Sequence, residues 1–334
     1  MIDRSVETLV DRAIAGTPPS KQEATALLMT DASSPEAAYI RWGAELIGRE
    51  AAHNTGQIYA QIGVDAGPCP ENCAFCALAA SSSARKEPAD VSVDAIIASA
   101  STFDRAGVHL ISLMSTAGFD FDRFLSIVKA VREAISPDMP IMANIGDIDA
   151  NQARTLATAG VQAAYHAHRL GEGIITSIDP ARRTATFAAL KTAGLKLMSA
   201  VEPVHAASDP QEVADRMFEV IACSPYCSGV GTLTVVAGTG MESYVPLSRK
   251  HSALLAAVMR LVAGRSIPFG TGCGNVRWTD AGTNPRGRNL IADPDYLLRD
   301  VSRLRKELAD SEWTVPDRPL ASWFDGDAHL TRQG

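Results

Sequence analysis

Between residues 121 and 135, apolar side chains recur at 121, 124, 125, 128, 131 and 135, and Asp122, Arg123, Lys129, Arg132 and Glu133 take the positions between. A period near 3.6 buries one stripe of a helix and leaves the rest in water. The same pattern predicts three helices ahead of any strand, over residues 4–15, 20–29 and 34–53, punctuated by Thr17-Pro-Pro-Ser20 and Asp31-Ala-Ser-Ser-Pro35. Ser or Thr followed by Pro is what a helix start requires.

From residue 92 the chain repeats helix, Ala-Gly, strand. Ala106-Gly107, Ala159-Gly160, Ala193-Gly194 and Ala263-Gly264 each close a periodic segment and precede an apolar run. Glycine suits the left-handed residue that ends a helix. The glycines are 53, 34 and 70 residues apart, or one or two βα units of about 35 residues each. Strands are predicted at 58–64, 108–114, 139–144, 161–166, 195–201, 230–236 and 266–271. This is an α/β chain with parallel βα units, a partial or complete TIM-like (β/α) barrel behind an N-terminal helical cap. No helix fits between Thr271 and Asn275, so residues 275–279 either supply a short closing strand or leave the barrel open. The expected divisions are 1–55 for the cap, 56–290 for the barrel, and 291–334 for a last helix, residues 293–308, with a tail over the outside.

Composition narrows the possible partners. Hydrophobic residues make up 46% of 334, enough for a large core, and only 6% are aromatic. The net charge is −7 and the Arg-rich spots are short and separated, so a nucleic-acid partner is not expected. The first seven residues carry charges where a signal peptide needs an apolar stretch, and the longest membrane-span candidate, residues 254–263, is broken by Arg260. A soluble cytoplasmic protein is expected.

The chemistry concentrates in Gly67-Pro-Cys-Pro-Glu-Asn-Cys-Ala-Phe-Cys-Ala-Leu78, where Cys69, Cys73 and Cys76 stand at C-x3-C-x2-C spacing. Three such thiolates can converge on one metal centre and are one short of the four that close a zinc or cubane site. A structural zinc site usually closes with Cys or His at short range, and no His follows until His109. Six Cys in the whole chain are too sparse for a disulfide scaffold. An iron–sulfur cluster with one open iron is the favoured reading, with zinc and a disulfide pair as its alternatives.

The spacing, with Phe75 before the last cysteine, resembles the radical S-adenosylmethionine (SAM) superfamily. The helical lead-in resembles its biotin-synthase-like branch. What the resemblance implies is a [4Fe–4S] cluster on Cys69, Cys73 and Cys76, with SAM chelating the open iron. Its reductive cleavage to a 5'-deoxyadenosyl radical, an electron donor such as flavodoxin or ferredoxin, and a small-molecule substrate follow from the same resemblance. Residues around Phe75 would face the adenine. Ser115 and Thr116, in Met114-Ser-Thr-Ala117, match the segment that takes the SAM amino group, although either could instead cap the next helix. Asn144, ending strand three, joins the SAM set. Arg169 and Glu172 fall where a hydrogenase maturase of the branch contacts SAM, and Arg183 where an arginine takes its carboxylate.

His166, His168, Glu202 and His205, near the ends of strands four and five, are candidates for substrate contact or proton transfer. Biotin synthase carries auxiliary-cluster cysteines on strands two, three and five, where this chain has Ile111-Ser-Leu-Met114, Met142-Ala-Asn144 and Leu197-Met-Ser199. A rearrangement, lyase or cofactor-building step is therefore expected over sulfur insertion. Cys223 and Cys227, expected at the amino end of strand six and away from the site, and Cys273 are read as buried apolar residues, with a second cluster as the alternative. Asn275, Arg277, Asp280, Asn284 and Arg286 either close over a substrate or tie down the barrel. A non-catalytic metal-binding scaffold is the reading from another class.

Overall fold

The computed structural model describes residues 2–82, 84, 87–271, 275–283, 289–290 and 293–319. Three helices come first: α1 (Arg4–Ile14), α2 (Lys21–Leu28) and α3 (Pro35–Ala51). Parallel strands then alternate with helices: β1 (Gln57–Gly63), α4 (Val93–Arg105), β2 (Leu110–Met114), α5 (Phe121–Ala134), β3 (Ile141–Asn144), α6 (Ala150–Thr158), β4 (Ala163–Tyr165) and α7 (Pro180–Thr192). They continue as β5 (Lys196–Val204), α8 (Pro210–Ala222), β6 (Cys227–Thr232), α9 (Arg249–Ala263), β7 (Phe269–Thr271) and β8 (Val276–Thr283), followed by a short antiparallel β9 (Asn289–Leu290) and α10 (Pro294–Asp310).

The barrel is complete. β1 pairs in parallel with both β2 and β8, from Gln57 opposite Val276 to Gly63 opposite Gly282. The closing strand spans eight residues and reaches the mouth of the barrel, well beyond the short piece at 275–279 that the sequence suggests. β6 begins at Cys227, three residues ahead of the expected start, because Cys227 pairs with both Met198 and Phe269.

Side-chain chemistry fixes where the helices begin. Ser20, Ser34, Ser92, Asp120, Asp149, Asp179, Asp209, Ser248 and Asp293 cap their helices, and Pro follows at once in α3, α7, α8 and α10. Each cap oxygen takes one of the backbone N–H groups that a first turn leaves unpaired. Asp120 caps α5, which leaves Ser115 and Thr116 free of that role.

The N-terminal helices form a layer against the side of the barrel. Val10, Leu27, Ile40 and Ile47 share one buried cluster with Val201 and Val204 of β5 and with the inner faces of α8 and α9. At the opposite, amino-terminal end of the strands, the segment after α10 crosses the base. Thr314 bridges to Thr55, and the Arg49 guanidinium lies 4.5 Å over the Trp313 ring. Arg277 turns outward to Glu307 of α10 and the Asn275 carboxamide accepts the Gly270 N–H, so both tie the barrel down. Cys273, Asn284, Arg286 and the tail from residue 320 lie outside the described residues.

Candidate active site

The cysteine loop leaves the carboxyl end of β1 and folds on its own backbone. Cys69 N–H donates to the Leu78 carbonyl at 2.7 Å, Ala80 N–H to the Cys69 carbonyl at 2.9 Å, and Leu78 N–H to Cys76 Sγ at 3.4 Å. Gly67 opens this turn at φ +75°, where a Cβ would lie 2.6 Å from the Leu78 carbonyl oxygen. Only glycine accepts that approach.

Cys69, Cys73 and Cys76 all line one cavity of about 630 Å³ at the carboxyl ends of the strands. Burial pushes the Cys73 thiol up to about 12, against the pull of Arg169, and raises Cys76 as well. Among the described residues, no three Cys, His, Asp or Glu side chains close tightly enough to grip a single ion. A mononuclear zinc site needs every sulfur at about 2.3 Å from one centre. A cubane instead gives each thiolate its own iron, so three separate thiols on one wall, with open space beside them, fit such a cluster.

Facing the thiols, Phe75, Ser115, Thr116 and Asn144 line the cavity from the cysteine loop and the ends of β2 and β3. Thr116 is fixed by Asp65, two residues past β1, which accepts its backbone N–H at 2.7 Å and its hydroxyl at 2.5 Å.

Arg169 reaches the cavity after β4 and lies 3.2 Å from Glu202 of β5, and Glu202 also accepts the Tyr165 hydroxyl. Burial works against the Arg169 charge, but Glu202, Tyr165 and Cys73 more than offset it, so its pKa is raised. Arg183, in the first turn of α7, is 3.3 Å from both Asp147 and Glu172. Arg182 reaches Glu71 and Asp147. The cations that oppose the α7 dipole thus have anions within the chain. Glu172 does not line the cavity: it lies behind Arg183, accepting also from Thr176 and the Arg169 N–H.

The four candidates for proton transfer separate. Glu202 and His166 line the cavity. His166 is buried, within 3.5 Å of Asp147 and 3.3 Å of the Arg183 carbonyl. Burial and the two arginines push its pKa far below the ordinary value. His168 turns out of the barrel to bond Glu219 of α8. His205, one residue past β5, packs on the Tyr244 ring at 4.8 Å and is not part of the lining.

Cys227 corrects its expected position: it is buried and lines the same cavity, while Cys223 ends α8. Gln61, Trp278 and Asp280 also face the cavity, in a chain where Asn144 donates to Gln61 and Gln61 to Asp280, each at 3.3 Å. The sequence signal for Gln61 is the polar alternation Gln57, Tyr59, Gln61 in β1, which marks one inward face.

No family model matches the chain. It is 29% identical over 207 residues to the biotin synthase of Geobacter metallireducens (59% of this chain, 61% of that one), so it spans about three fifths of that relative. It is 26% identical over 260 residues to the biotin synthase of Desulforudis audaxviator (75% and 78%) and 27% identical over 263 to that of Saccharopolyspora erythraea (76% and 73%). Among solved structures, methylornithine synthase (PylB) superposes with a TM-score of 0.79 at 17% identity, covering 96% of this chain and all of that one. The [FeFe]-hydrogenase maturase HydG superposes at 0.75 with 15% identity, covering 97% and 78%; both likenesses show the fold. No described helix is long and apolar enough to cross a membrane. With this barrel and the cysteine loop at its mouth, the chain is similar to the biotin synthases and to the biotin-synthase-like branch of the radical SAM enzymes.

Proposed function

We propose that this enzyme reductively cleaves SAM at a [4Fe–4S] cluster held by Cys69, Cys73 and Cys76, and that the resulting 5'-deoxyadenosyl radical takes hydrogen from a small molecule. The observation that carries this is the single cavity shared by the three thiols, Arg169 and Arg183. The cofactors supply the electron and the carbon radical; the chain binds, orients and excludes water. Ser115 and Thr116, clamped by Asp65, offer the small polar wall for the SAM amino group. Arg183 keeps its guanidinium edge toward the cavity while Asp147 and Glu172 hold it from behind, which suits a carboxylate. Asn144 and Phe75 complete the pocket. Glu172 and His166 act as positioning residues through Arg183.

The substrate lies deeper, toward Glu202, Tyr165, Gln61 and Asp280. A cavity of about 630 Å³ that also admits SAM leaves space for a small second molecule only. With no cysteine at the auxiliary-cluster positions of β2, β3 and β5, the step is a rearrangement, a lyase reaction or part of cofactor construction. Sulfur insertion is the second reading, favoured by the place of Cys227 in the cavity. Anaerobic reconstitution separates the two: one cubane gives about four irons and four sulfides per chain, and a second cluster adds more. Incubation with SAM and dithionite tests both together. If 5'-deoxyadenosine does not exceed that of a Cys76→Ala control, the chain is a metal-binding scaffold.

A further inference from the structure

Two loops close over the cysteine loop from the solvent side. Ala74, between two of the cluster cysteines, donates its N–H to the Ile175 carbonyl at 2.7 Å and accepts from Met241 N–H at 3.0 Å. The tips of these loops are apolar and open to solvent: Ile174 is 88% exposed, Val245 67% and Tyr244 40%. Large apolar side chains at such exposure, on two loops that meet at Ala74, are the kind of surface that marks an interaction site.

The neighbouring charges say what kind of partner fits. Arg249 and Lys250 follow Val245 by a few residues, are exposed, and have no acidic partner among the described residues. They stand in the first turn of α9, which holds no acidic residue, so the helix dipole opposes both. An external anion would relieve that arrangement. Two exposed acids nearby each hold a backbone N–H, Glu242 accepting that of Gly238 at 2.7 Å and Glu212 that of Gly171 at 3.1 Å.

We propose that Ile174, Tyr244 and Val245, rimmed by Arg249 and Lys250, form the docking surface for a small acidic protein that carries one electron at a time. The proposal rests on the reading that the loop beneath holds a reducible cluster, since each SAM cleaved requires one electron from outside. Docking here puts the carrier against the two loops that hydrogen-bond to Ala74. The apolar tips supply contact area and the cations steer the encounter.

The test compares two reductants on the reconstituted holoenzyme, reading 5'-deoxyadenosine formed from SAM. With reduced flavodoxin as the probe, Ile174→Asp/Val245→Asp and Arg249→Glu/Lys250→Glu should each slow formation about tenfold or more, and the wild-type rate should fall as salt rises. With dithionite, which needs no docking, both variants should stay within about twofold of wild type. Unchanged flavodoxin-driven rates, or equal losses with both reductants, overturn the surface. Absence of 5'-deoxyadenosine from wild type with dithionite overturns the underlying function and the surface with it.

Discussion

Asp65 holds Thr116 through both carboxylate oxygens, one on the backbone N–H and one on the hydroxyl, and so ties the end of β2 to the start of the cysteine loop. Asp65→Ala frees the segment proposed to take the SAM amino group. SAM affinity should fall about tenfold, equivalent to roughly 1.4 kcal/mol, while iron content stays as in wild type. Equilibrium binding to the reconstituted protein measures it, and Asp65→Asn, which keeps one acceptor, should fall between the two.

Gly67→Ala strikes the loop itself. At φ +75° an alanine is strained, and its Cβ would meet the Leu78 carbonyl, so the turn that sets Cys69 against Leu78 must open. Bound iron after reconstitution should drop by about half or more, with far-ultraviolet circular dichroism unchanged, because the loop carries none of the barrel's helices or strands.

Glu202→Gln removes the carboxylate 3.2 Å from Arg169 and weakens the acceptor of the Tyr165 hydroxyl. A charge-assisted hydrogen bond is worth about 2 kcal/mol, so 5'-deoxyadenosine formation should slow roughly 30-fold. Tyr165→Phe, which leaves the Arg169–Glu202 pair intact, should lose less. Equal losses would show that the hydroxyl, and not the ion pair, sets the rate.

His109 gives a pH dependence of stability. Its Nδ1 accepts the Ile58 N–H at 2.8 Å and its Nε2 bonds the Pro316 carbonyl at 2.9 Å, so the ring is neutral when folded. Burial lowers its pKa from 6.5 to about 4. A histidine depressed in the folded state binds its proton more readily when unfolded. Its contribution is therefore complete above pH 6.5 and is lost as pH falls toward 4, by roughly 3 kcal/mol in all. Denaturant titrations between pH 7 and 4 should show this slope in wild type and a flatter one in His109→Asn.

Much of the fold is legible because local rules and the global architecture agree. Ser or Asp caps, Pro at the first helical position, and Gly107, Gly160 and Gly194 at positive φ just past their helices bracket the elements within a few residues. Barrel closure is not legible, because the pairing of Gln57 with Val276 joins residues more than two hundred positions apart and leaves no periodic trace. Where β6 begins is hidden for a similar reason: the run Cys227-Ser-Gly229 carries no alternating pattern, and only its pairing with β5 and β7 makes it strand.

The cysteine triad, its glycine and the order of helices and strands were written in the sequence, since short spacings and capping chemistry act within a few residues. Which of the polar side chains face one another was decided by the closed barrel alone. It sends His168 outward to Glu219, turns Cys227 and Gln61 inward, and sets Asp147 and Glu172 behind Arg183, because strand alternation and helix packing choose a direction for each side chain only once the strands have met.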